Sequence, residues 1–185
     1  MNVIERLMEE HRVIKNTLDV FEAEIVQIKE REQVDLFAVE TSIDFVRTYT
    51  DLVHQGKEDM LFRKLLQKKL ADESVQVLNE LIEEHKFSRG IISRWMIATE
   101  EYFDRKNTPQ GVIDCLQELT TFYPRHLAKE NKFFSGPAYA SFTQEEQNDL
   151  IREFEEFELS VLAWKYRKVQ STLKERLDQI RDAST

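Results

Sequence analysis

Cysteine occurs once in the 185-residue chain, proline three times and glycine four times. A single Cys excludes an intrachain disulfide framework and any CxxC zinc or redox pair, and it suits a reducing cytosol. Seven Gly and Pro residues together are too few to punctuate a strand-and-turn fold, so long helices rich in Glu, Lys, Leu and Gln are expected. No apolar run approaches the ~20 residues of a membrane span. The start, Met1-Asn2-Val3-Ile4-Glu5-Arg6, has neither the basic nor the apolar region of a signal peptide. Basic residues are also scarce: 26 Lys and Arg stand against 35 Asp and Glu, a net charge of −9, which argues against a nucleic-acid surface. The expectation is a soluble, cytoplasmic, all-α protein with neither nucleic acid nor membrane as a partner, long enough to bury a real core.

Periodicity and stop signals predict five helices. The first runs from Val3 to Ile28 on a stripe of Ile4, Leu7, Met8, His11, Ile14, Leu18, Phe21 and Ile25, and the charged cluster Lys29 to Glu32 ends it. The second spans about Val34 to Leu70 and carries Phe37, Ile43, Val46, Val53, Leu61 and Leu65. Asp72 or Ser74 can cap the third, whose stripe includes Leu78, Leu81, Ile92 and Trp95. Thr108-Pro109 starts the fourth, with Pro at the first helical position; Pro124 should kink it and Ser135-Gly136-Pro137 should end it. The fifth runs from Gln144 to Arg181 behind a capping box, Thr143 to Glu146, on a stripe from Leu150, Phe154, Phe157, Val161 and Trp164 to Val169, Leu173, Leu177 and Ile180. It should pack along the bundle or form a dimer contact.

The four histidines are the informative residues. Glu9-Glu10-His11-Arg12 resembles Glu83-Glu84-His85-Lys86, and His54-Gln55-Gly56-Lys57-Glu58-Asp59 resembles His126-Leu127-Ala128-Lys129-Glu130-Asn131, with Phe62 matching Phe134. The offsets are 74 and 72 residues, as expected of a duplicated helical hairpin. Antiparallel helices with short connections place residues equidistant from a turn at one height. The midpoints of successive histidines fall at Glu32–Gln33, Lys69–Leu70 and Arg105–Lys106, each in or beside a predicted connection. An up-down-up-down bundle therefore brings all four imidazoles level.

Spacing of four residues adds Glu58 to the face of His54 and Glu130 to that of His126. A lone His on an apolar stripe is usually a satisfied core residue. Four in one layer would be costly without a partner, and a metal is the natural one. Four His and two Glu form a mixed nitrogen and oxygen donor set that suits iron, manganese or zinc better than calcium or copper(I). Six groups exceed the needs of one tetrahedral zinc but suit two metals sharing carboxylates.

The combination His11, His54-x-x-x-Glu58, His85 and His126-x-x-x-Glu130 resembles the hemerythrin-like, or HHE cation-binding, family over residues 1–135. The resemblance implies a four-helix bundle holding two non-haem irons, with His11, His54, His85 and His126 as terminal ligands and Glu58 and Glu130 bridging. Residues 136–185 would be a C-terminal helical extension. Oxygen-carrying members have a fifth His four residues after the one on the third helix; here that position is Arg89. The four-His, two-Glu set is similar to the di-iron proteins called repair of iron centres, associated with nitrosative and oxidative stress. The small Cys-containing domain that many of those carry is not seen before His11. The Glu-x-x-His motif of ferritin-like oxidases is absent.

The resemblance implies a protein that binds or reacts with a small diatomic ligand, dioxygen or nitric oxide, or supplies iron under stress, with a redox partner left unnamed. The alternative is a metal- or redox-responsive regulatory module acting through the C-terminal helix, which would also be the homodimer contact. No nucleophile triad or phosphate loop is visible, so an enzyme assignment would rest on the metal alone. Tyr123 is either a hydrogen-bond donor to the site or a core aromatic. Asp51 and Asp59 are either imidazole partners or surface carboxylates. Arg89 is expected at the rim or in solvent, and Cys115 as an inert buried thiol.

Overall fold

The computed structural model describes residues 2–105 and 108–182. Helix α1 (Val3–Arg31) opens on a capping box in which Glu5 N–H donates to Asn2 Oδ1 at 2.9 Å and Asn2 N–H to the Glu5 carboxylate at 2.8 Å. It ends at Glu32, whose φ of 51° is left-handed, so the helix takes in most of the charged cluster expected to stop it. Asp35 caps α2 (Leu36–Phe45), which continues through a π-helical segment (Val46–Gln55) into α3 (Gly56–Leu65). Then come α4 (Asp72–Arg105), α5 (Gln110–Phe134), a single 3-10 turn (Tyr139–Ser141) and α6 (Gln144–Asp182). No strand occurs among the described residues.

Four helical rods, α1, α2–α3, α4 and α5, make the bundle, with α6 as the extra C-terminal helix. Several boundaries differ from expectation. Val34 lies outside the second rod because its N–H goes to the Tyr102 hydroxyl at 3.2 Å. Neither Asp72 nor Ser74 is the cap of α4: the Ala71 carbonyl takes the first bonds, from Ser74 and Val75 N–H. Pro109 sits one position before the helix, accepting from Val112 and Ile113 N–H, and α5 runs on through Pro124 to Phe134. The Thr143/Glu146 capping box of α6 is made as expected. The connection expected at Arg105–Lys106 involves residues 106 and 107, which lie outside the described residues.

Two apolar clusters fill the bundle. One gathers Ile14, Leu18, Phe21, Trp95, Leu116 and Leu119. The other gathers Leu7, Leu61, Phe62, Leu81, Phe134 and, from α6, Leu150 and Phe154. The buried imidazoles and carboxylates belong to neither. The π-helical segment sets the phase of the second rod: its wider turns bury Val46, Thr50 and His54 at four-residue steps and carry on to Glu58. Phe37, expected on the buried stripe, is instead 80% exposed. The α6 stripe is buried only at first. Leu150, Phe154 and Val161 are covered, whereas Trp164, Val169 and Leu173 are exposed, and the side chains of Leu177 and Ile180 lie outside the described residues.

Candidate metal centre

Helix geometry aims six side chains at one point. His54 Nε2 lies 3.3 Å from Glu58 Oε2, one turn on, and His126 Nε2 lies 2.9 Å from Glu130 Oε1. From α1, His11 Nε2 reaches Glu58 at 3.3 Å and Glu130 at 3.4 Å. From α4, His85 Nε2 reaches Glu58 at 3.3 Å and Glu130 at 3.2 Å. The His11 and His54 rings meet edge-on at 4.8 Å, and those of His85 and His126 at 5.2 Å. The imidazoles thus come level, as the midpoints require, and each carboxylate touches three of them. All six residues are at most 4% exposed.

Each imidazole is held from behind through Nδ1. Glu10 accepts from His54 at 2.9 Å, Glu84 from His126 at 2.8 Å, Asp59 from His85 at 3.0 Å and the Asn131 amide oxygen from His11 at 2.9 Å. A cation neutralises each of these carboxylates: Lys57 binds Glu10, Lys129 binds Glu84 and Arg89 binds Asp59. Acceptors at Nδ1 fix a proton there, so that each ring, once neutral, turns an Nε2 lone pair inward, the tautomer a metal ligand needs.

The electrostatics of the cage follow from its burial. Burial disfavours the Glu58 carboxylate, yet the charges and hydrogen bonds of His54, His11 and His85 hold it well below the usual range. Glu130 is lowered too, against burial and the neighbouring Glu58, chiefly by His126. Burial opposes the His85 cation, but bonds to Asp59, Glu130 and Glu58 push it up to about 11. Against the same burial, Glu130 and Glu84 push His126 up to about 9.

These residues fit a metal. His54 Nε2, His126 Nε2, Glu58 Oε2 and Glu130 Oε2 are buried without a hydrogen-bond partner, a condition that costs about 1–3 kcal/mol for each group left so. The donor atoms form two groups, His11/His54/Glu58/Glu130 and His85/His126/Glu130, each within 4.8 Å and sharing Glu130. Nitrogen and oxygen donors suit iron, manganese or zinc. Atoms bound about 2.1 Å from one metal at right angles lie about 3.0 Å apart, close to the separations within the cage.

Other expected residues divide. Asp59 backs an imidazole, whereas Asp51 instead accepts from Arg89 Nε at 2.6 Å. Arg89 sits half-exposed at the rim, paired with both. Tyr123 is buried in the apolar core with the Ser88 hydroxyl as neighbour, its own hydroxyl lacks a well-formed hydrogen bond, and burial pushes its pKa up. Cys115 is a buried thiol whose pKa burial raises. Sequence reasoning passed over Glu10, Glu84, Lys57, Lys129 and Asn131. Their signal was the repeat itself, which pairs Glu10 with Glu84, Lys57 with Lys129 and Asp59 with Asn131.

No helix among the described residues is long and apolar enough to cross a membrane. The family model of the hemerythrin HHE cation binding domain matches residues 2–135. No curated protein and no solved structure matches the chain.

Proposed function

The chain belongs to the hemerythrin HHE cation-binding family, and from that premise we propose that it is a cytoplasmic non-haem di-iron protein. It binds or reacts with small diatomic ligands, dioxygen or nitric oxide, or supplies iron in oxidative and nitrosative stress. The observation that carries this reading is the position of Glu58 and Glu130, each within 3.4 Å of imidazoles from both halves of the duplication. Carboxylates so placed suit two metals better than one.

Iron bound there would supply redox chemistry toward a small ligand. The chain's own residues do the rest. The four Nε2 atoms and two carboxylates would hold the metals, the Nδ1 partners fix the rings, and Phe62, stacked on His85 at 5.5 Å, helps to exclude water. Arg89 stands where oxygen carriers have a fifth His, so the cage offers four imidazoles in all.

Metal analysis and optical spectra of protein from iron-supplemented cells test the proposal. About two irons per chain are expected, lost in Glu58→Ala and Glu130→Ala, with a spectrum that responds to nitric oxide. One zinc insensitive to those substitutions would refute it. The exposed α6 residues Leu159, Leu162, Tyr166, Val169 and Leu173 favour a second reading, a metal-responsive module that acts, or dimerises, through α6. Truncation after Val161 should then abolish the association and spare metal uptake.

A further inference from the structure

The two halves of the bundle back their imidazoles alike, except that Asn131 stands where the repeat has Asp59 and that the two lysines are held differently. In the second half Lys129 binds Glu84, the partner of His126, at 2.5 Å and Glu80 at 3.1 Å. In the first half Lys57 binds Glu10, the partner of His54. The duplication puts Arg6 at the position matching Glu80, and a cation there cannot hold Lys57. The carboxylate comes instead from α6: Glu158 binds Lys57 and accepts from Arg6 Nη2 at 2.7 Å. Glu158 lies beyond the 2–135 match.

Burial separates the halves as well. The Lys57 side chain is 0% exposed and that of Lys129 33%. Phe154 covers Lys57, its ring centre 5.8 Å from Nζ. The Phe157 ring lies over Gly56 so closely that a Cβ there would stand 2.6 Å from it. A buried ammonium needs acceptors for its donors. With Glu158 present, Lys57 divides its attraction between two carboxylates, and Glu10 remains a strong acceptor for His54. Without that charge, Lys57 draws on Glu10 alone, and the hydrogen bond that orients His54 weakens.

We infer that Glu158 is a positioning residue for the metal centre: α6 reaches one half of the cage through Glu158, Lys57, Glu10 and His54, and so makes the two metal positions unequal. This rests on the metal-binding reading above. The test is release of iron from the anaerobically loaded full chain to an excess of a ferrous chelator. Glu158→Gln should speed the loss of one of the two irons about tenfold. Glu80→Gln, the matching change in the solvent-exposed half, should leave both rates within about twofold. Unchanged rates in Glu158→Gln, or a rise shared equally by both irons, would overturn the inference. A chain that takes up no iron would overturn the metal reading and this inference with it.

Discussion

Zinc titrated into the metal-free chain at pH 7 should expel about two protons, because the cage carries protons on the atoms that would ligate it. His85 is pushed up to about 11 and His126 to about 9, so both are cations at that pH. The second proton then sits on Nε2 beside the Glu130 carboxylate, 3.2 Å away for His85 and 2.9 Å for His126. Binding needs those lone pairs, so both protons must leave. His11 is raised as well, against burial, by Glu58 and Glu130, which acts in the same direction. Glu58 and Glu130 are lowered and release none. With two protons displaced, the binding constant should rise about a hundredfold per pH unit between about pH 7 and 8, or about 2.7 kcal/mol. Calorimetry in buffers of different ionisation enthalpy gives the count directly, from the slope of observed against buffer enthalpy. A slope near zero would refute the reasoning, since it would mean that the imidazoles are already neutral in the empty cage.

The same imidazoles should set the alkaline limit of the metal-free fold. Their folded pKa values lie above 6.5, so their stabilisation is full below about pH 6.5, declines above it, and is gone by about pH 9 for His126 and about 11 for His85. Urea midpoints of the metal-free chain should fall over that range while the gain from metal grows; a flat profile would contradict the assignment. Phe154→Ala removes a 0%-exposed ring between α6 and the bundle and should cost about 3–4 kcal/mol, or about 10 °C in melting temperature. A change under about 2 °C would mean that α6 is not docked. Tyr123→Phe deletes a buried hydroxyl that lacks a well-formed bond and should be neutral or stabilising by up to about 1 kcal/mol in urea unfolding; a loss larger than that would reveal a partner. Glu32→Gly relieves the left-handed backbone at φ 51° and should stabilise by about 0.5–1 kcal/mol, read as a higher urea midpoint with an unchanged slope.

The cage was legible in the sequence because it is local and repeated. Four-residue spacing puts His54 with Glu58 and His126 with Glu130 on shared faces, and equal distances from the turns bring the four imidazoles level; both depend only on the rise and twist of a helix. The ring of partners behind the imidazoles was half legible. Glu10 with Glu84 and Lys57 with Lys129 stand in the duplication, but their roles needed the angle at which α1 meets the second rod and α4 meets α5. Asp51 illustrates the limit. It lies three residues from His54, as near in sequence as Lys57 on the other side, yet it faces Arg89.

The sequence by itself determined the helical class, the bundle and the six inward-facing residues, since scarce Gly and Pro, apolar period and ligand spacing act over short stretches of chain. Only the tertiary structure decided two things. The π-helical turns of Val46–Gln55 carry the buried face of the second rod through Thr50 and His54; no apolar period announces a change of helix pitch. The contact of Glu158 with Lys57 joins residues 101 apart. A lysine and a glutamate so distant become partners only when packing of Leu150 and Phe154 lays α6 on the bundle, and a charged pair leaves no pattern along the chain.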